Sequence, residues 1–311
     1  MTSEQLIASI KRRANIPDSQ AMITDEEILD FANEEMLLNL VPLVVSKHED
    51  YYLTSEDTVI QSGVYSYPIP YRALGSKLRE LAYYDQDSER YSPLYRKSID
   101  EITEDSARGT SSGANRFYIM NENVVLDTNT DVAHDFLTFF YNMRPNSLVL
   151  SDRVASITSI DRTSGIITVS SVPDAFTGTS KLDFVKLNSP HRILNYDLTP
   201  TLIDDANSQI TFSLTDIPSE LVIGDQICLQ NETNLVNAPS ELHVMLAQMV
   251  AARVLESIGD TQNLAAANDK LARMERSTEY LIDNRVTGSP IKASARRNGF
   301  LGRGRTLGRR R

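Results

Sequence analysis

The chain has 311 residues, of which 41% are hydrophobic and 23% are charged, and its formal net charge is −11. This hydrophobic content is enough for a folded core, and the length fits one large domain or two to three small ones. The single cysteine, Cys228, excludes an internal disulfide framework and thiolate-rich zinc sites, and its alternating surroundings predict a small buried hydrophobe.

The N-terminal region predicts no targeting segment. Residues 1–40 are charged and amphipathic, unlike a signal peptide, and no apolar run approaches the roughly 20 residues needed to cross a bilayer. We therefore expect a protein that is made in the cytoplasm, is not exported by a cleavable signal and has no membrane partner.

Two helices are predicted at the N-terminus. Leu6, Ile7 and Ile10 have helical spacing within residues 3–13, and Pro17 is expected to end that helix. The second helix begins with a capping box in which Thr24 is the N-cap and Glu27 is the third helical residue. An apolar stripe then runs toward Ser46, and Pro42 is expected to end or kink the helix.

From about Tyr51 the hydrophobic period changes to that of β-strands. The first set of predicted strands covers residues 51–60, 65–69, 78–84, 116–126 and 135–142, and the polar, glycine-containing stretch 103–115 predicts a loop. A second set covers residues 154–160, 165–170, 182–187, 193–198, 209–214 and 226–229. Its short spacing indicates a small barrel or sandwich, in which the first two strands form a hairpin.

Two further helices are predicted after the strands. Asn237, Ala238 and Pro239 predict the start of the first, and Gly259 predicts its end. Asp260 or Thr261 then caps the second, so the two form a helical hairpin with a very short link. Since each terminal pair of helices is too small to bury a core alone, we expect the pairs to pack on one another.

The sequence therefore predicts an α+β protein. The expected divisions are a helical domain (1–50 with 236–285), a β region (51–147), a small β-barrel or sandwich (148–235) and an extended arm (286–311). The β regions form a long antiparallel insertion between the two helix pairs.

The arm differs in charge from the rest of the chain. It carries eight Lys and Arg side chains and no Asp or Glu, so the first 285 residues have a net charge of −19. Its glycines argue against a helix and predict an extended segment that becomes ordered on binding. The apolar side chains among its arginines favour insertion into a protein partner over coating of phosphates. The predicted docking residues are Lys292, Arg296, Arg297, Phe300, Leu301, Arg303, Arg305, Leu307, Arg309, Arg310 and Arg311.

No pattern predicts catalysis. The four histidines, His48, His134, His191 and His243, have no metal-ligand spacing, the phosphate-binding loop motifs are missing, and no nucleophile elbow occurs. The paired acids are most simply caps and solvated faces, although Glu34 and Glu35 are candidates to line a ring or to meet a neighbour's arginine. We therefore expect no enzymatic activity, no cofactor and no metal, and an enzyme that cleaves cell-wall glycan is a remote alternative.

The two ends of the chain resemble the podovirus-type head-to-tail adaptor, or connector, proteins of tailed bacteriophages. The resemblance lies in residues 4–14, 24–29 and 32–35, in the closing helices around 251–255, 259–260 and 274–275, and in the basic end after Arg285. It covers the two ends, and the β insertion matches no known motif.

This resemblance implies a structural virion protein at the neck of the particle. It implies a ring, usually dodecameric, whose arm docks on the portal protein and whose β insertion faces a tail tube, nozzle or fibre protein. DNA would pass through the lumen without specific binding. The alternative function is a DNA- or RNA-binding protein that uses the basic arm, and a third possibility is that the arm only improves solubility.

Overall fold

The computed structural model describes residues 1–16, 23–101, 116–126, 136–188 and 191–282, and it has a mixed α+β fold with large antiparallel sheets. The loop predicted over 103–115, Pro17 and the arm lie outside the described residues. The helices are α1 (Ser3–Ala14), α2 (Asp25–Glu35), a π-helical turn (Met36–Leu40), α3 (Val41–Lys47), α4 (His243–Ser257) and α5 (Thr261–Ile282).

The strands occupy the chain between α3 and α4. They are β1 (Leu53–Val59), β2 (Ser66–Pro68), β3 (Ala73–Asp85), β4 (Arg90–Pro93), β5 (Tyr95–Arg96), β6 (Arg116–Met120), β7 (Asn123–Leu126), β8 (Phe136–Met143), β9 (Ser147–Leu148), β10 (Ala155–Asp161), β11 (Ile166–Val169), β12 (Leu182–Val185), β13 (Ile193–Leu198), β14 (Leu202–Asp204), β15 (Gln209–Thr211), β16 (Gln226–Leu229) and β17 (Glu232–Thr233).

Both N-terminal helices begin with a capping box. Thr24 and Glu27 form the predicted one, and Thr2 with Gln5 forms a second that the sequence also contains but that we did not predict. These side chains satisfy backbone groups that have no partner within the helix. The structure places the end of α1 at Asn15, which adopts the left-handed conformation with φ of 56°.

Pro42 does not end the second helix. The chain passes from α2 through the π-helical turn into α3 and continues to Lys47, with Pro42 in the first turn of α3. Proline has no N–H to donate and its ring crowds the preceding turn. The wider π-helical turn, in which the Val41 amide donates to the Met36 carbonyl, lies immediately before this site.

The start of α4 differs from the prediction. Asn237 does not cap this helix with its side chain, and a 3-10 turn over Ser240–Leu242 leads into it instead. The Asn237 carbonyl accepts a hydrogen bond from the Tyr52 hydroxyl. At the other end the prediction is confirmed, because Gly259 has φ of 76° and its amide donates to the Glu256 carbonyl. Asp260 then caps α5 by accepting from the amide of Asn263.

Helices from both ends of the chain contact one another. Both α1 and α2 pack on α4, and α5 packs on another side of it. This surrounded position explains why α4 is buried over most of its circumference. Apolar side chains from these helices, including Leu6, Ile10, Ile28, Leu246 and Val250, belong to one hydrophobic cluster. Ile258, which follows α4, is 37% exposed.

The first β region contains two four-stranded sheets that share a core. Their strand orders are β1-β8-β3-β4 and β2-β7-β6-β5, and β5 pairs with β6 in parallel. Apolar residues of both sheets belong to one cluster that includes Leu81, Phe117, Val124 and Phe139. The single strand predicted over 116–126 is in fact a hairpin. Its turn residues Asn121 and Glu122 have φ values of 51° and 60°.

The second β region is a seven-stranded antiparallel sheet of order β13-β12-β16-β10-β11-β15-β14. The predicted hairpin is present as β10 and β11, with a register shift between Ile157 and Ser159. This shift lies where β10 changes partner from β16 to β11. The sheet is curled. Strands β12 and β15 are separated by three other strands, yet the ring of Phe184 on β12 lies 4.9 Å from that of Phe212, which follows β15. The curl encloses a second apolar core.

Gly165, in the turn between β10 and β11, tests the packing of this turn against the end of β15, where the Phe212 amide donates to the Gly165 carbonyl. It has φ of 75°, and the Cβ atom of any larger residue at this position would overlap the Phe212 carbonyl oxygen. We expect Gly165→Ala to reduce the free energy of unfolding by about 2–4 kcal/mol, since it combines a left-handed conformation with a backbone clash. Urea unfolding measures the change. Gly178→Ala is the matched control, because nothing lies within 4 Å of its added Cβ. Equal stability of the two variants would contradict the close approach of the Gly165 turn to the Phe212 backbone.

Candidate functional site

The predicted docking residues of the arm, Lys292 to Arg311, lie outside the described residues. The described residues contain a large polar cluster that the sequence did not predict. We call it the Arg72 cluster and define it as Arg72, Asp183, Asp197, Asn146, Tyr71 and Gln230. It lies where the first β region meets the seven-stranded sheet.

Arg72 is the centre of this cluster and is only 2% exposed. Its Nη2 atom lies 2.8 Å from both carboxylate oxygens of Asp183 and 2.9 Å from Oδ1 of Asp197. Its Nη1 atom donates to the side-chain carbonyl of Asn146 at 2.9 Å, and its Nε atom donates to the Tyr71 hydroxyl at 3.0 Å. The guanidinium also lies over the ring of Tyr196, 4.9 Å from its centroid.

Asp183 is fully buried, and both of its oxygens have several donors. Oδ1 also accepts from the amide of Asp197, and Oδ2 accepts from the side chain of Asn146 and the amide of Asn231. These donors come from different strands and strand ends, because Asp183 lies on β12, Asp197 on β13 and Asn231 between β16 and β17. The cluster therefore ties three parts of the seven-stranded sheet to the start of β3.

The charged side chains of the cluster stabilise one another in their ionised forms. Burial acts to lower the pKa of Arg72, but the Asp183 charge and the hydrogen bonds to Asp197 and Asp183 outweigh it and raise that pKa. Burial acts to raise the pKa of Asp197, and the hydrogen bond from Arg72 reverses this effect and lowers it. Both partners are therefore ionised at neutral pH. A fully hydrogen-bonded ion pair of this kind is suited to holding strands together, since it presents no free acid or base.

A second polar group adjoins the cluster. The hydroxyls of Tyr141 and Tyr196 lie 3.0 Å apart, and both donate to Oε2 of Glu56, at 3.1 and 3.0 Å. Burial, followed by the contacts with the neighbouring hydroxyl and carboxylate, raises the pKa of Tyr141. The pKa of Tyr196 is raised to about 12, mainly by burial. Both tyrosines are therefore neutral hydrogen-bond donors in the physiological range.

The structure brings together two histidines that are far apart in sequence. The rings of His191 and His243 are stacked with centroids 5.9 Å apart. The Met1 amino nitrogen lies 3.2 Å from Nε2 of His191 and 3.5 Å from Nδ1 of His243. Spacing along the chain gave no sign of this contact, because a loop before β13 supplies one ring and the start of α4 the other. Within the described ranges, no group of three or more His, Cys, Asp or Glu side chains is arranged to hold a metal ion.

Three other sequence predictions concern described residues. Cys228 is fully buried, as predicted, and burial raises the pKa of its thiol. Glu34 lies 3.5 Å from Arg253 of the same chain, so it has an intramolecular partner. Glu35 accepts a hydrogen bond from the side chain of Asn39 at 2.6 Å. In the part of the chain that is described, no helix is both long enough and apolar enough to cross a membrane.

Two grooves mark candidate interaction surfaces. The first, which we call the inter-domain groove, has a volume of about 940 Å³ and lies between the π-helical turn with α3 on one side and strands β3 and β8 on the other. Its lining is mainly apolar and includes Leu37, Pro42, Val45, Leu74 and Leu78. Leu38, next to Leu37, is 70% exposed. The second, which we call the helical groove, lies between α2–α3, α4 and α5 and consists of two hollows of about 220 and 380 Å³.

No family model matches the chain, and no curated protein matches it.

The Arg72 cluster predicts a large effect for Arg72→Met. This change keeps the volume and leaves the buried Asp183 carboxylate without its cation, so we expect a loss of about 3–5 kcal/mol in the free energy of unfolding. Urea unfolding at pH 7 measures it. Arg192→Met is the matched control, because the Arg192–Glu220 pair is more than half exposed and is expected to contribute at most about 1 kcal/mol. Similar losses of unfolding free energy in the two variants would contradict a major contribution of Arg72 to stability.

The histidine pair predicts a pH dependence of stability. Burial, followed by the Met1 ammonium charge, lowers the pKa of His243 to about 4. The unfolded chain, with an ordinary histidine pKa near 6.5, therefore takes up this proton at a higher pH than the fold. Stability is lost as the pH falls from about 6.5 to about 4, at up to about 1.4 kcal/mol per pH unit from this group.

We expect His243→Gln to make this slope shallower. Chemical unfolding of both proteins at several pH values between 7 and 4.5 measures it. A lower stability of the variant that is the same at every pH would contradict the assignment, since it would show that His243 does not titrate in this range.

Proposed function

We propose that this protein is a structural virion component, a head-to-tail adaptor that forms an oligomeric ring between the portal and the tail of a phage particle. The observation that carries the proposal is the meeting of the two chain ends in one helical core. The segments of the chain that resemble the adaptor family are the ones that form α1, α2, α4 and α5, and their apolar faces pack together.

In this proposal the helical domain, residues 1–50 with 236–285, is the wall of the ring. The β regions, 51–147 and 148–235, extend from it toward a tail tube, nozzle or fibre protein. The tie between α2 and β9 supports a fixed orientation of this kind, because Asn33 donates to the Leu148 carbonyl and accepts from the Leu148 amide. A fixed insertion suits a part that must transmit position from head to tail.

The inter-domain groove supports the expectation of a ring. It exposes apolar side chains such as Leu37, Val45 and Leu78 to solvent-accessible space, and exposed apolar surface often marks a contact site. A closed ring requires two different surfaces on each subunit, one for each neighbour. A groove of this size is a suitable receiving surface for one of them.

The charge of the body supports a role as a conduit. Residues 1–285 have a net charge of −19. An acidic wall repels the phosphate backbone and offers it no contact during passage, so DNA crosses the lumen without specific binding.

The arm is the proposed portal-docking element. Phe300, Leu301 and Leu307 insert into the portal and the arginines meet acidic walls there. Each contact is weak alone, and a ring presents many copies of the arm at once, so the assembled particle binds much more tightly than one subunit does.

This proposal predicts that the arm is required for retention of the portal. The full chain is expected to be retained by immobilised portal protein from the same genome, whereas a chain ending at Pro290 is expected to lose retention by at least about tenfold. Phe300→Ala with Leu301→Ala is expected to weaken retention, and Thr287→Ala with Ser289→Ala is the matched control outside the predicted docking residues. Equal retention of the full and shortened chains would contradict the proposal.

The same samples distinguish the nucleic-acid alternative. The eight cations of the arm favour phosphate contacts, and such contacts weaken steeply with salt. A mobility shift of duplex DNA by the full chain, lost in the shortened chain and accompanied by no portal retention, would favour that alternative.

A further inference from the structure

The helical groove combines an apolar floor with an acidic rim. Met249 of α4 and Leu43 of α3 form part of the floor, and Leu264 and Leu271 of α5 complete it. On α5 the lining residues Leu264, Asn268, Leu271 and Glu275 recur every three or four positions, so they form one face of that helix. The two hollows share Glu35, Met249 and Leu271, so they are continuous.

The rim has an excess of negative charge. Its charged lining residues are Glu35, Glu256, Glu275 and one cation, Arg253. Arg253 already lies 3.5 Å from Glu34 and 3.7 Å from Glu256, so its charge is shared with these glutamates. Glu35 and Glu275 have no ion-pair partner among the described residues. The groove therefore fits a segment that carries both apolar and basic side chains.

The arm of this chain has this composition. It combines Phe300, Leu301 and Leu307 with eight Lys and Arg side chains and contains no acid. It also starts close to the groove, because Glu275 precedes the end of α5 at Ile282 by only two helical turns. The 18 residues from Ile282 to Phe300 reach up to about 60 Å when extended, which is several times the length of those two turns.

We propose that the arm of each chain occupies the helical groove of the same chain before it meets its partner. Phe300 and Leu301 contact the apolar floor, and the flanking arginines lie against Glu35 and Glu275. The groove is thus a resting site for the arm. This inference does not depend on the portal being the final partner, since it concerns the isolated protein.

A resting site for the arm has a consequence for assembly. An arm with exposed aromatic and cationic side chains binds acidic surfaces without selection, and the bodies of other copies are acidic. Occupation of its own groove lowers the concentration of free arm. A partner must then compete with the groove, so a strong and specific receptor is favoured over weak surfaces.

Limited trypsin digestion of the full chain tests this proposal. Trypsin cleaves after Lys and Arg, and mass spectrometry reports the rate of cleavage after Arg297 and Arg303. We expect Glu35→Gln with Glu275→Gln to increase this rate by about fivefold, since two exposed charge contacts are removed. Glutamine keeps an acceptor for Asn39 and adds no new cleavage site.

The matched control is Glu26→Gln with Asp30→Asn, which removes the same charge from the exposed face of α2 away from the groove. We expect this control to be cleaved at the wild-type rate, and circular dichroism melting to show that both variants fold. Equal cleavage of the wild type and the groove variant would overturn the proposal. Protection of the arm from trypsin that disappears on dilution would also overturn the proposal. Such a result would place the arm in the groove of a second copy.

Portal retention measured on the same variants separates this proposal from the proposed function. Faster cleavage without portal retention supports the resting site and contradicts the adaptor function. Unchanged cleavage with full retention overturns the resting site and leaves the adaptor function intact.

Discussion

The buried ion pair between Arg72 and Asp183 is the constraint on which the arrangement of the β regions depends. A buried charge pair is tolerated only where its hydrogen bonds are complete, and here both carboxylate oxygens of Asp183 and all three guanidinium nitrogens have partners. Arg72 immediately precedes β3, whereas Asp183 lies within the seven-stranded sheet. Moving one sheet relative to the other would leave charges without partners, so the pair selects one arrangement.

The same junction continues into the helical core. Asn146, a member of the Arg72 cluster, also donates to the carbonyl of Glu232, which lies on β17 of the parallel pair β9–β17. Leu148 on β9 is held by the side chain of Asn33 on α2. A series of partly buried hydrogen bonds thus leads from the β sheets to the helices that both ends of the sequence supply. In the adaptor that we propose, these hydrogen bonds join the β regions rigidly to the helical domain that forms the ring wall. The arm is then a separate binding element.

Local signals in the sequence predicted most helices and strands. Contacts between distant segments could not be predicted from it. The Thr24 capping box, Gly259 and the β10–β11 hairpin depend on neighbouring residues, so they could be predicted. Nothing in the sequence singled out Arg72, because its partners Asp183 and Asp197 are more than 100 positions away. The pairing of His191 with His243 was hidden for the same reason. The helical groove was not predicted either, since it needs the relative placement of four helical segments.

We propose that the chain assembles as a ring on a portal. Mass photometry of the purified 34.8 kDa chain, alone and mixed with portal rings from the same genome, tests it most directly. The account predicts that the mixture contains one dominant heavier species, whose added mass is a fixed multiple of the mass of this chain. Negative-stain images of that species are expected to show a second ring stacked on the portal. Portal rings that gain no mass at saturating concentrations of the chain would contradict the account.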